Sequence, residues 1–205
     1  MNLERYCSRI GGKLKADEKK KIITQVAQKI FSQYGLIKTT IAEIAQAARM
    51  GKASLYHYFK GKEDIFKEVV EQEYQFLKEK TREAITNEDS PQKKLKIYII
   101  KKMEYLKELA NIHSALKDDY LEHYAFIKKI RDKNNRGELL TIREILQDGE
   151  DKGIFEINDI ELTAFAIATA LKGLEVTWSL NISFPEIESN VDKLLEIVFK
   201  GIVKR

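Results

Sequence analysis

One cysteine in 205 residues, Cys7, excludes a disulfide framework, and no basic-then-apolar leader opens the chain, so a reducing, cytoplasmic setting is expected. Proline occurs twice and glycine ten times, leaving few positions that force a helix to stop. The richest apolar run, residues 162–171, ends at Lys172 and is about half of what a bilayer-spanning helix needs, so no membrane partner is expected. Histidine is scarce: His113 and His123 stand ten apart, no cysteine or carboxylate completes a ligand set with them, and no metal is expected. No glycine-rich phosphate loop and no nucleophile with a neighbouring base can be read, so neither a cofactor nor an enzyme is expected.

What remains is a chain whose apolar residues recur at helical spacing almost throughout, which predicts an all-α protein long enough for one large or two modest domains. Its charge is unevenly divided. Residues 1–62 hold thirteen Lys/Arg against four Asp/Glu and residues 63–205 twenty-three against twenty-eight, so the formal +4 conceals a basic first part and a mildly acidic remainder. A basic end of this kind has the electrostatic footprint of a phosphate-binding surface.

Residues 39–62, TTIAEIAQAARMGKASLYHYFKGK, read as two short helices joined by a tight turn. Thr40-Ile41-Ala42-Glu43 is a capping box, in which the threonine oxygen accepts the Glu43 amide and the glutamate reaches back to the Thr40 amide. Ile41, Ile44, Ala45 and Ala48 make one apolar face, Arg49-Met50-Gly51 interrupts it, and a second helix begins at Lys52. There Leu55, Tyr58 and Phe59 point inward, which leaves Lys52, Ala53, Ser54, Tyr56 and His57 outside. In a helix-turn-helix the second helix enters the major groove with its first residues against base edges. Lys52, Ala53 and Ser54 occupy that place, and a lysine can reach guanine. Tyr56 and His57 are expected at phosphates, as is Lys62 at the start of the next helix. The amides and dipole of the helix start add to the attraction for phosphate.

These motifs resemble the N-terminal domain of the tetracycline-repressor (TetR) family of transcriptional regulators. The family carries a Thr-Thr-x-Ile-x-x-Ile-Ala run, a short turn, a helix ending Leu-Tyr-x-Tyr/His-Phe, then Lys-x-Lys-Glu and a hydrophobic pair. Lys38-Thr39-Thr40-Ile41, Glu43-Ile44-Ala45, Ser54-Leu55-Tyr56-His57-Tyr58-Phe59, Lys60-Gly61-Lys62-Glu63 and Ile65-Phe66 stand in those places. By position, the resemblance implies that Thr40, Lys52, Ala53, Ser54, Tyr56, His57 and Lys62 contact DNA. The chain departs from the family pattern at the turn, where Arg49 and Gly51 stand in place of a glycine and a capping serine. Arg49 is expected at positive φ at some cost, and Gly51 is expected to cap almost as well as serine.

Taken in order, residues 1–15 read as a flexible basic arm, 16–76 as the DNA-binding head and 77–205 as a larger helical domain for ligand binding and dimerisation. A helix over 17–34, ended by Gly35, carries Ile22, Ile23, Val26, Ala27, Ile30, Phe31 and Tyr34. With Ile65, Phe66, Val69 and Val70 it completes a small core under the reading pair. One long helix is expected over 62–85, and the family resemblance implies that it joins the two domains. Further helices are expected at 91–110, 111–135, 136–151 (with Leu139, Leu140, Ile142, Ile145 and Leu146 inward) and 159–181, and from Phe184-Pro185-Glu186 onward.

The ring-rich stretch 111–135 and Trp178 point to an apolar pocket between helices, with Met103, His113, Tyr120, His123, Tyr124, Phe126, Phe165, Glu175 and Trp178 as candidate lining. Ala164, Ala168, Ala170 and Gly173 thin the helix at 159–181 enough for another helix to approach, and Val191, Leu195, Val198 and Ile202 stripe the last one. The family resemblance implies that these two helices from each subunit form a four-helix dimer interface. A single helix-turn-helix reads only a few base pairs, so a two-fold homodimer on double-stranded operator DNA is expected. The expected function is that of a repressor released from its operator by a small, largely apolar effector of unknown identity, which shifts the dimer between two states of unequal affinity. The alternative, a helical adaptor without DNA binding, leaves Lys52, Tyr56 and His57 without a role.

Overall fold

The computed structural model describes residues 16–109, 111, 125–181 and 183–202; the arm at 1–15 and the candidates His113, Tyr120, His123 and Tyr124 lie outside them. The described residues form helices α1 (Ala16–Lys38), α2 (Ile41–Ala47), α3 (Lys52–Tyr56), α4 (Lys62–Ile85), α5 (Pro91–Glu108), α6 (Ala125–Asp151), α7 (Ile160–Asn181) and α8 (Phe184–Ile202). None of them is long and apolar enough to cross a membrane. The chain divides into two compact units, Met1–Val70 and Glu71–Arg205. That division falls within α4 and earlier than residue 76, because the buried Ile65, Phe66, Val69 and Val70 complete the first core.

In the first unit, α1 buries Ile23, Ala27 and Phe31, four residues apart and therefore on one face. Helical geometry fails at Gly35, where φ is 74° and ψ 169°, a backbone state open essentially to glycine alone. Thr39 Oγ1 then donates to Gly35 O at 2.7 Å, and the next residue, Thr40, caps α2. The capping box at that start is complete: Glu43 N donates to Thr40 Oγ1 at 3.3 Å and Thr40 N to Glu43 Oε2 at 2.7 Å. The Thr40 hydroxyl and amide hold the Glu43 carboxyl below its ordinary value. Arg49 has φ 54°, the left-handed turn read from the sequence. The core is closed by Phe31 and Phe66, edge to face at 5.1 Å. At its edge Lys20 pairs with Glu68 at 2.7 Å and lies over the Phe59 ring at 5.5 Å.

The second unit takes the rest of α4 together with α5 to α8. Ser90 caps α5 ahead of Pro91, Asp159 Oδ1 accepts the Leu162 amide at 2.9 Å as α7 begins, and the Glu186 carboxylate accepts from the Ser183 amide and hydroxyl where α8 opens. Helix α6 corrects the expected break near residue 135. It runs on through Asn134, Asn135 and Gly137 because Asn134 Nδ2 donates to Ile130 O at 2.8 Å, and because Ile127, Ile130, Ile142, Ile145 and Leu146 bury together. Packing therefore overrides weak helix propensity. Leu140, expected inward, stands out on the opposite side of α6. After α6 the chain turns so tightly that a Cβ at Gly149 would overlap the Phe155 ring, which itself stacks on Phe199 at 5.9 Å.

Candidate nucleic-acid interface and inner cavity

Helix α3 stops at Tyr56 rather than reaching Phe59, because the Tyr58 and Phe59 amides both return to Leu55 O, at 3.0 and 3.1 Å. Little more than one helical turn carries a small dipole, so the anion attraction expected of its N-terminus is minor and the case rests on side chains. Leu55 and Phe59 are sunk in the core. Opposite them, Lys52, Ala53, Ser54, Tyr56 and His57 are all exposed, with Gly51 as N-cap, and Tyr56 is 55 % exposed. Thr40 is also exposed, at the start of α2.

Lys62 departs from this group. Its Nζ donates to Leu36 O, Ile37 O and Thr39 O, each at 3.0 Å, so all three ammonium hydrogens are spent on backbone carbonyls. Lys62, expected at a phosphate, is thus placed on the backbone between α1 and α2.

In the second unit a cavity of about 230 Å³ opens between the second half of α4 and helices α5, α6 and α7. Leu77, Leu106 and the Tyr74 and Tyr98 rings give it apolar walls, while Asn134, Asn135, Arg131 and Lys172 supply polar groups. Within its lining lies a buried ion triad: the Lys102 ammonium from α5 donates to Glu138 Oε1 from α6 and to Glu175 Oε1 from α7. All three side chains are at most 9 % exposed by residue. Burial works against the Lys102 charge, but the two carboxylates outweigh it and hold its pKa above the ordinary lysine value. Burial pushes the Glu138 carboxyl up, the nearby Glu175 charge adds to the rise, and Lys102 opposes it. Burial raises the Tyr74 and Tyr98 phenols as well, so both stay protonated and can donate.

Of the ligand candidates read from sequence, Glu175 lines this cavity. Met103 and Trp178 are buried but absent from its lining, Phe126 on α6 is half-buried and also absent, and Phe165 borders a separate groove between α6 and α7 on the outer side. The triad was missed although a signal exists. Lys102 falls in the stripe Leu95-Ile99-Met103-Leu106, Glu138 in Ile130-Ile142-Ile145, and Glu175 in Ala164-Ile167-Leu171-Trp178. A charge in an apolar stripe must be paired when the helix packs.

The candidate dimer residues also divide. Ala164, Val191 and Leu195 are spent on the unit's own core, at 0, 0 and 3 % exposure, and the expectation for them is corrected. Ala168, Val198 and Ile202 are half-buried and Gly173 is exposed. Leu162 and Phe165 on α7 and Ile197 on α8, none of them expected at the interface from sequence, stand out at 63, 59 and 71 %.

A basic head that offers the start of a short second helix, joined to a helical unit with an inner cavity, has the architecture of a DNA-binding transcriptional regulator. Known proteins agree. The model of bacterial regulatory proteins, tetR family, matches residues 23–69. The regulator AcrR of Shigella flexneri is 30 % identical over 172 residues, spanning 70 % of this chain and 80 % of its own length. YhgD of Bacillus subtilis, an uncharacterized HTH-type transcriptional regulator, is 27 % identical over 190 residues, 90 % of this chain and 97 % of its own. A solved transcriptional regulator from Cytophaga hutchinsonii superposes with a TM-score of 0.77 at 26 % identity, covering 92 % of this chain and all of the other. The chain belongs to the tetR family of bacterial regulatory proteins, and it is a transcriptional regulator rather than an enzyme.

Proposed function

We propose that this regulator acts in the cytoplasm as a homodimeric repressor on operator DNA, and that a small effector in the inner cavity releases it. The observation that carries the reading is the exposed set Lys52, Ala53, Ser54, Tyr56 and His57, held on one side of α3 by Leu55 and Phe59 on the other. Lys52, Ala53 and Ser54 face base edges; Tyr56, His57 and Thr40 donate to phosphates and set the register. Two copies meet through α7 and α8: Leu162, Phe165, Ala166, Thr169 and Ala170 lie at helical spacing on one exposed face of α7, and Ile197 is exposed on α8. The effector has an apolar body for Leu77, Leu106 and the tyrosine rings, and a polar group for the charged lining.

The test uses a duplex that the protein selects from a random pool, with affinity followed by fluorescence anisotropy across salt. Binding weakens steeply as salt rises, Lys52→Ala costs about 1–3 kcal/mol and relaxes specificity at one position, and Phe165→Glu yields monomers in sedimentation. A protein that selects no sequence, or that binds as well without Lys52 and Tyr56 side chains, contradicts the reading.

A further inference from the structure

Three backbone carbonyls converge where α1 has ended and α2 has not begun, those of Leu36, Ile37 and Thr39. The cause is upstream. Gly35 leaves helical geometry and the chain is extended again at Thr40, so the carbonyls of the short stretch between have no helical amide one turn ahead to accept from. Without a donor they would be crowded acceptors, and those of Leu36 and Thr39, which are partly buried, would carry the cost of an unmade hydrogen bond. The Lys62 ammonium, reaching back 23 to 26 residues from the first position of α4, meets all three at 3.0 Å. Thr39 Oγ1 closes the same turn onto Gly35 O. Thr40, the next residue, caps α2, and α2 carries the turn that aims α3.

We infer that Lys62 is a positioning residue of the DNA-reading head: it locks the α1–α2 turn to the start of α4 and so fixes where Lys52, Ala53 and Ser54 point, without neutralising a phosphate. This rests on the proposed DNA-binding role. A lysine fits the cage because its three hydrogens diverge from one atom, whereas the planar fork of arginine cannot serve three carbonyls around a point. The distinction from a phosphate ligand is measurable. A residue that contacts phosphate lowers the slope of log affinity against log salt by about 0.9 when removed, and arginine replaces it well. A residue that aims the helix leaves that slope alone and is not rescued by arginine.

The experiment compares wild type, Lys62→Met, Lys62→Arg and, as a cationic DNA-side reference, Lys52→Ala. Specific affinity for the selected duplex, non-specific affinity for a scrambled duplex and their salt slopes are measured well below the melting temperature, with amide hydrogen exchange over residues 36–48 as a readout that needs no DNA. Lys62→Met and Lys62→Arg are both expected to lose on the order of tenfold in specific affinity, to keep the wild-type slope and non-specific affinity, and to exchange faster over residues 36–48. Retained affinity in Lys62→Arg with a shallower slope in Lys62→Met would overturn the inference in favour of a phosphate ligand. Unchanged exchange and affinity in both would overturn it outright. A wild type that selects no duplex defeats the DNA reading separately, and the exchange data then still decide whether Lys62 holds the turn. If Lys62→Met does not fold, the charge-retaining Lys62→Arg decides by the same criteria.

Discussion

Replacing Lys102 with methionine keeps most of the side-chain volume and removes the ammonium that holds Glu138 and Glu175 together inside the second unit. Lys102 is 6 % exposed and the two glutamates 8 and 9 %, so neither carboxylate can turn to bulk water in compensation. Taking one partner out of a buried ion pair costs about 3–5 kcal/mol, because a desolvated charge is left without its counterion. The loss has a definite pH dependence. Burial already lifts the Glu138 carboxyl above its ordinary 4.5, and loss of Lys102 lifts it further. A carboxyl raised in the folded state keeps a proton that the unfolded chain has released, so stability falls as pH rises from the unfolded value through the folded one. The deficit of Lys102→Met is therefore larger at pH 7.5 than at pH 5. Glu138→Gln behaves in the opposite way: it removes the surplus negative charge and is expected to be neutral or stabilising by about 1 kcal/mol at pH 7.5. Urea denaturation followed by the fluorescence of Trp178, buried in α7 one turn beyond Glu175, reads the second unit directly. A Lys102→Met cost below about 1 kcal/mol, or one that does not change between pH 5 and 7.5, refutes the account of the triad.

Two further changes probe local devices. Thr40→Ala removes the N-cap of α2 and is expected to cost about 1 kcal/mol, read as faster amide exchange over residues 44–48. Since Glu43 is held below its ordinary 4.5, its share of the box is present above that value and is lost as pH falls through the lowered one. Gly149→Ala drives a methyl into the Phe155 ring and is expected to lower the Trp178 urea midpoint by the equivalent of about 1–3 kcal/mol; an unchanged midpoint would mean that the α6–α7 turn yields freely.

The head was legible because its signals are local. Thr40 and Glu43 lie within one helical turn of each other, Arg49-Met50-Gly51 interrupts an apolar face, and Leu55 with Phe59 fixes which side of α3 is outside. The role of Lys62 was not legible, since its acceptors are carbonyls that any sequence possesses and that only the kink at Gly35 brings together. In the second unit, periodicity located the helices but not their neighbours. Val191 and Leu195 carry the same apolar signal whether they face their own unit or another chain, and only the packed structure separates them from Ile197. Apart from Glu175, the lining of the cavity escaped for a related reason. Aromatic content drew the reading to Trp178 and Phe165, whereas the cavity is built around charges standing in otherwise apolar stripes.

The most direct test is a hydroxyl-radical footprint of the full chain on its selected duplex, run beside Lys52→Ala and Tyr56→Phe. The account predicts two protected half-sites related by a dyad and separated by about one helical turn or a multiple of it, with protection weakened by either substitution. A single protected patch, or protection indifferent to both side chains, would contradict a paired head that reads DNA through the start of α3.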